Sequence, residues 1–186
     1  MKKIIFIMIA LMGLNFATAQ TEVGGVDLPN KVNFQGQDLQ LNGAGVREKL
    51  WIDLYAGGLY LNGKSSDASA IVSANEPMSI KLHIVSKLIS SDKMIDAVNE
   101  GFENSTSGNT KPLASEIEKF RSFFMEEIKK NDVFDIVYLP SKGVVAYKNN
   151  KELGTIEGMD FKKALFGIWL SNRPADDDLK EAMLGK

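Results

Sequence analysis

Arg47 is the residue around which chemistry can be built. A guanidinium keeps its charge and offers a planar fork of donors that fits a carboxylate through two parallel hydrogen bonds. The residues that follow, Trp51 to Leu61, are rich in aromatic and branched side chains. A cation beside such a surface is costly unless it is paired. Its counter-charge is either internal, with Asp53 and Glu48 as candidates, or is brought by an anionic ligand. Tyr55 is the second polar candidate. Its hydroxyl either donates another hydrogen bond to a carboxylate or is satisfied inside the core.

Other chemistries are poorly equipped. The chain has no Cys and a single His, His83. That leaves no thiol nucleophile, no disulfide and no His-rich metal site, and it argues against a Ser-His-Asp triad. The formal charge is −2, so there is no electrostatic footprint for nucleic acid. No metal and no cofactor are expected. The acidic run Asp176 to Asp178 is read as charge favourable to a helix N-terminus rather than as catalytic carboxylates.

The elements that must position Arg47 follow from patterning. Leu41 to Leu61 reads as a β-hairpin with glycine pairs on both strands, Gly43 with Gly45 and Gly57 with Gly58. Glycine inside a strand marks a bulge or a close approach of another group to the backbone. A three-residue turn over Glu48 to Leu50 is predicted, pairing Arg47 with Trp51 and bringing Trp51, Asp53 and Tyr55 to its side.

Val23 to Leu28 and Val32 to Phe34 read as short strands. Pro77 to Val85 alternates apolar and polar residues as a half-buried strand does, with His83 on the polar side. Helices are predicted over Asp67 to Ala74, Ser91 to Phe102, Pro112 to Lys130 and Asp160 to Leu170, and a last one follows Asp176. Val133 to Leu139, Val144 to Lys148 and Glu152 to Ile156 are read as three further strands. Hairpins dominate and nothing alternates βαβ, so the class is α+β, with a largely antiparallel sheet and a helical layer on one face.

Residues 1–19 read as a bacterial Sec signal peptide. Lys2 and Lys3 are followed by the apolar run Ile4 to Leu14 and the small-residue site Ala17-Thr18-Ala19. The apolar run is short for a bilayer span. Residues 20–186 are then one domain, periplasmic or secreted, touching the membrane only through its leader.

The hairpin letters Gly43, Gly45, Arg47, Tyr55, Ala56, Gly58, Leu59, Tyr60 and Leu61 resemble the chalcone-isomerase-like superfamily. Asp160 to Gly185 resembles the ending of its bacterial members. The resemblance implies an open-faced β-sandwich with a ligand cleft between the sheet and the helices. It also implies that the arginine contacts either a flavonoid substrate or, in fatty-acid-binding members, the ligand carboxylate. Tyr55 falls where the plant isomerases carry a catalytic threonine. Met94 and Gly101 align by hand with a tyrosine and an asparagine of those enzymes, and neither can do what those side chains do.

The function expected is therefore non-catalytic binding of a fatty acid or similar apolar carboxylate. Arg47 and Tyr55 would hold the head, and Met94, Phe102, Phe120 and Phe124 would line the tail pocket. The alternative is an intramolecular lyase or isomerase acting on a chalcone-like phenolic enone.

Overall fold

A computed structural model describes residues 20–186. The predicted signal peptide, residues 1–19, lies outside the described residues. Nine strands form a hairpin of β1 (Gln20–Val23) and β2 (Val26–Pro29) and a seven-stranded sheet. The sheet runs β3 (Lys31–Phe34), β4 (Gln37–Lys49), β5 (Ile52–Leu61), β6 (Met78–Ile84), β7 (Val133–Leu139), β8 (Gly143–Lys148) and β9 (Lys151–Ile156), every neighbour antiparallel. The helices are α1 (Ala68–Ser73), α2 (Ser91–Ser105), α3 (Ala114–Ser122), α4 (Met159–Leu170) and α5 (Asp177–Met183).

Local chemistry explains most boundaries. Asp67 caps α1, its carboxylate accepting from the Ala70 N–H at 3.0 Å. Ser90 and Asp176 do the same for α2 and α5. Met78, Ile80, Leu82 and Ile84 all turn one face of β6 to the helical layer. There they meet Phe102, Phe120, Phe124, Phe161 and Phe166 in the main core. The opposite face is covered in part by the sheet's own curl. Phe34 of β3 stacks on Tyr147 of β8 with ring centroids 5.8 Å apart, and the Gln35 side chain donates to the Tyr147 hydroxyl at 2.9 Å.

The predicted helix Pro112 to Lys130 is a correction. A 3-10 turn, Lys111–Leu113, leads into α3, which stops at Ser122. Phe124 and Ile128 are buried as their spacing suggested, but from an irregular segment. Tertiary bonds take over from the helical ladder there. Ser91 Oγ donates to the Glu126 carbonyl at 2.7 Å, and Lys148 Nζ donates to the Glu127 carbonyl at 2.6 Å. Helix propensity over a few residues is weaker than such anchoring. α2 errs the other way and runs on to Ser105 through Gly101. A Cβ on Gly101 would lie 2.7 Å from Ile168 Cγ2, so this glycine is where α2 crosses α4.

The hairpin glycines have a partner. A Cβ on Gly43 would collide with the Ala182 carbonyl. One on Gly45 would lie 2.7 Å from the Ala182 methyl, and one on Gly57 would lie 2.8 Å from Met183 Cε. The bare backbone of β4 and β5 is the bed on which α5 rests. Asn42, the extra residue of a bulge between Leu41 and Gly43, fastens that contact by donating to the Met183 carbonyl at 2.8 Å.

Candidate functional site

The hairpin register places Arg47 directly opposite Tyr55. The turn is not the predicted one. Leu50 and Trp51 form a two-residue turn, with Lys49 opposite Ile52 and Glu48 opposite Asp53. A bulge then inserts Leu54 before the Arg47–Tyr55 pair. The extra residue restores the shared face that a two-residue turn alone would deny. Trp51 does not join them: it is 90% exposed at the tip.

Arg47 is half-buried, and its Cζ lies 5.7 Å from the Tyr55 ring centroid. Among the described residues it forms no ion pair; the carboxylates of Glu48 and Asp53 are not its partners. Tyr55 is 2% exposed, and its hydroxyl accepts from Trp169 Nε1 of α4 at 2.9 Å. Burial raises its pKa above the ordinary phenol value, against the opposing pull of Arg47 and of the Trp169 hydrogen bond. The hydroxyl therefore keeps its proton, and that proton is free to be donated.

Both groups open onto a cleft of about 370 Å³ between the β4–β5 hairpin, the 85–90 loop and α2. Leu54, Ile89 and Met94 supply buried or half-buried apolar walls, and Leu50, Ile52 and Leu88 stand exposed at the mouth. Ala97, Lys49, Lys93, Asp96 and Glu100 complete the lining. This volume falls within the range of small-ligand sites. A wider groove of about 640 Å³ runs among α1, the end of α2 and α4. It is lined largely by Ser69, Ser73, Ser105, Thr106 and Asn109 beside small apolar residues, and it offers no buried cation. The hairpin cleft is the better candidate because half-buried Arg47 is unpaired there beside the apolar side chains of Leu54, Ile89 and Met94.

Of the predicted site residues, the structure brings Arg47, Tyr55 and Met94 together at this cleft. Phe102, Phe120 and Phe124 are not among its walls. Phe102 and Phe120 pack edge to face at 6.0 Å, and Phe124 lies 5.2 Å from both Phe120 and Phe134. They fill the core beneath α2 and α3. Trp169 and the Leu88–Ile89 pair were not foreseen. The loop's signal was two apolar residues between Lys87 and Ser90; Trp169 carried none, because it reads as one more core residue of α4. Gly101, aligned with an enzyme's asparagine, faces Ile168 instead of the cleft.

A family model described as chalcone isomerase-like matches residues 20–185. The chain belongs to the chalcone isomerase-like family. The match takes in every strand and helix of the described fold. Among solved structures, a fatty-acid binding protein of Arabidopsis thaliana superposes with a TM-score of 0.68 at 18% identity, covering 86% of this chain and 92% of that one. At that identity the likeness speaks for the fold: a curled antiparallel sheet with a helical layer, as the patterning predicted. No curated protein sequence matches the chain.

Proposed function

We propose that this member of the chalcone isomerase-like family is a non-catalytic binding protein for a fatty acid or similar apolar carboxylate, working in the periplasm. The observation that carries the reading is Arg47, a half-buried guanidinium without an internal carboxylate, set beside the Tyr55 hydroxyl in an apolar cleft. A ligand carboxylate supplies the missing counter-charge and takes two kinds of donor at once. The Arabidopsis fatty-acid binding protein of the same fold supports the ligand class. The leader-like pattern of residues 1–19 supports the compartment.

Cyclisation of a phenolic enone is a weaker fit. Met94 lines the cleft where the resembled enzymes use a tyrosine, and a thioether neither donates nor relays a proton. Calorimetric titration of residues 20–186 with a long-chain acid tests the proposal. Arg47→Ala is expected to lower affinity on the order of 10- to 100-fold, the worth of hydrogen bonds to a charged group. Equal affinity in the variant and the parent refutes it.

A further inference from the structure

The turn at the mouth of the cleft is built from residues that its backbone does not favour. Leu50 and Trp51 both have positive φ, 54° and 61°. The same sheet makes a second two-residue turn with the same signs between β8 and β9, and there the residues are Asn149 and Asn150, at 51° and 66°. Asparagine tolerates this left-handed region through its short polar side chain, whereas leucine and tryptophan do not. Packing within the chain does not compensate: Leu50 is 76% exposed and Trp51 90%.

The neighbours repeat the pattern. Ile52 and Leu88 are also exposed, and with Met125 these are the exposed large apolar side chains among the described residues. Met125 precedes Glu126, which is tied to Ser91 at the head of α2. A cluster of this kind marks a contact with something outside the molecule.

The order of polarity along the cleft says what that is. The donors that fit a head group, Arg47 and Tyr55, lie at the inner end. Exposed Leu50 lies three residues beyond Arg47, in the turn that follows β4, roughly 10 Å away at ~3.3 Å per residue, and Ile52 and Leu88 line the same cleft. An acid seated head inward leaves its tail against Leu50, Ile52 and Leu88. A lipid in a bilayer presents the matching order, head group toward the protein and chain away from it. Tryptophan favours that interface because one part of the indole is apolar and its N–H is polar. Lys49 and Lys87 each adjoin an exposed leucine, and Lys93 Nζ donates to the Leu88 carbonyl at 3.0 Å. These ammonium groups meet lipid phosphates, but the exposed carboxylates of Glu48, Asp53 and Asp92 stand among them, so insertion of the apolar tip carries the contact.

Resting on the carboxylate-binding reading, we propose that the Leu50–Trp51 tip and Leu88 dock on a phospholipid surface, so that the guest passes between bilayer and cleft without crossing water. The contact is additional to any made by the leader.

The test uses residues 20–186, which hold the whole described fold and the family match, with vesicles of phosphatidylethanolamine and phosphatidylglycerol. The parent is expected to float with the vesicles, and Trp51 emission to move to shorter wavelength while buried Trp169 stays constant. Leu50→Asn with Trp51→Asn copies the chain's own Asn149–Asn150 turn and so preserves the fold. It is expected to lower vesicle partition on the order of 100-fold, the loss of two buried apolar side chains, with a melting temperature no lower than the parent's. Arg47→Ala is expected to lose the acid and keep the vesicles, so the two readings fail separately. A parent that stays in solution beside vesicles overturns the proposal, as does a double variant that floats equally well. A parent dimer abolished by the double variant assigns the tip to a second copy and overturns it too.

Discussion

The Trp169 indole N–H donates to the Tyr55 hydroxyl across 2.9 Å, joining α4 to the strand beside Arg47. Because that oxygen accepts from the core, its own proton points elsewhere, and the cleft is where an acceptor is wanted. Trp169→Phe removes the donor and part of the buried ring that packs beside it. Stability is expected to fall by about 2–4 kcal/mol in urea unfolding, from the lost hydrogen bond and the cavity together. Carboxylate affinity is expected to fall several-fold as the phenol loses its fixed orientation, and affinity for the matching alcohol much less. Equal losses for acid and alcohol assign Trp169 to packing alone.

Tyr55→Phe makes the complementary change. It leaves the Trp169 N–H buried without an acceptor, which costs about 1–3 kcal/mol, less than the lost donor and the cavity together. Chemical denaturation of both variants beside the parent checks the ranking.

Phe120 lies in the core and not along the cleft. Phe120→Leu is expected to cost about 1–2 kcal/mol of stability and to leave acid affinity unchanged. Met94→Ala is expected to weaken binding of the acid, because Met94 is a wall of the cleft. Paired melting and titration measurements separate the two residues.

Gly45→Val puts a branched side chain where even a Cβ would lie 2.7 Å from Ala182. α5 is expected to lift off the hairpin, at a cost of at least about 1–3 kcal/mol. Amide exchange should rise in 177–184 and in β4 before it rises in β7 and β8. Uniform exchange across the sheet would contradict a local role.

His83 is the chain's single histidine. Burial and then the nearby Lys81 hold its pKa below the ordinary 6.5. The unfolded chain therefore takes up this proton more readily than the folded one. Stability contributed by neutral His83 is complete above pH 6.5 and is lost as pH falls through the lower folded value. His83→Asn should flatten the stability profile in that window. The imidazole resonances of the one histidine report the folded pKa directly by NMR.

Period-two alternation marked β6 clearly, because one of its faces meets a phenylalanine-rich layer and the other does not. Asp67 and the Asn149–Asn150 pair announced their cap and turn by residue type. The hairpin glycines announced a close approach, although only the fold says that α5 is what approaches. The β4–β5 turn was illegible, since Leu50 and Trp51 are not turn residues and the bulge at Leu54 has no local signature. The end of α3 was hidden for the opposite reason. Phe124 and Ile128 continue a helical period after the helix has stopped. Arg47, Tyr55 and Met94 could be picked out as candidates, but the Trp169 bond spans 114 positions of sequence, and no short-range pattern reports a contact of that kind.

α5 is the last helix of the described residues, yet it lies on the strand that carries Arg47, and Asn42 holds it there through a bond spanning 141 positions. During synthesis that strand emerges early and waits uncovered until α5 has been made. A nascent chain halted before Asp176 therefore has its guanidinium and no finished site around it, and removal of α5 should cost guest capture as surely as a change at the arginine itself.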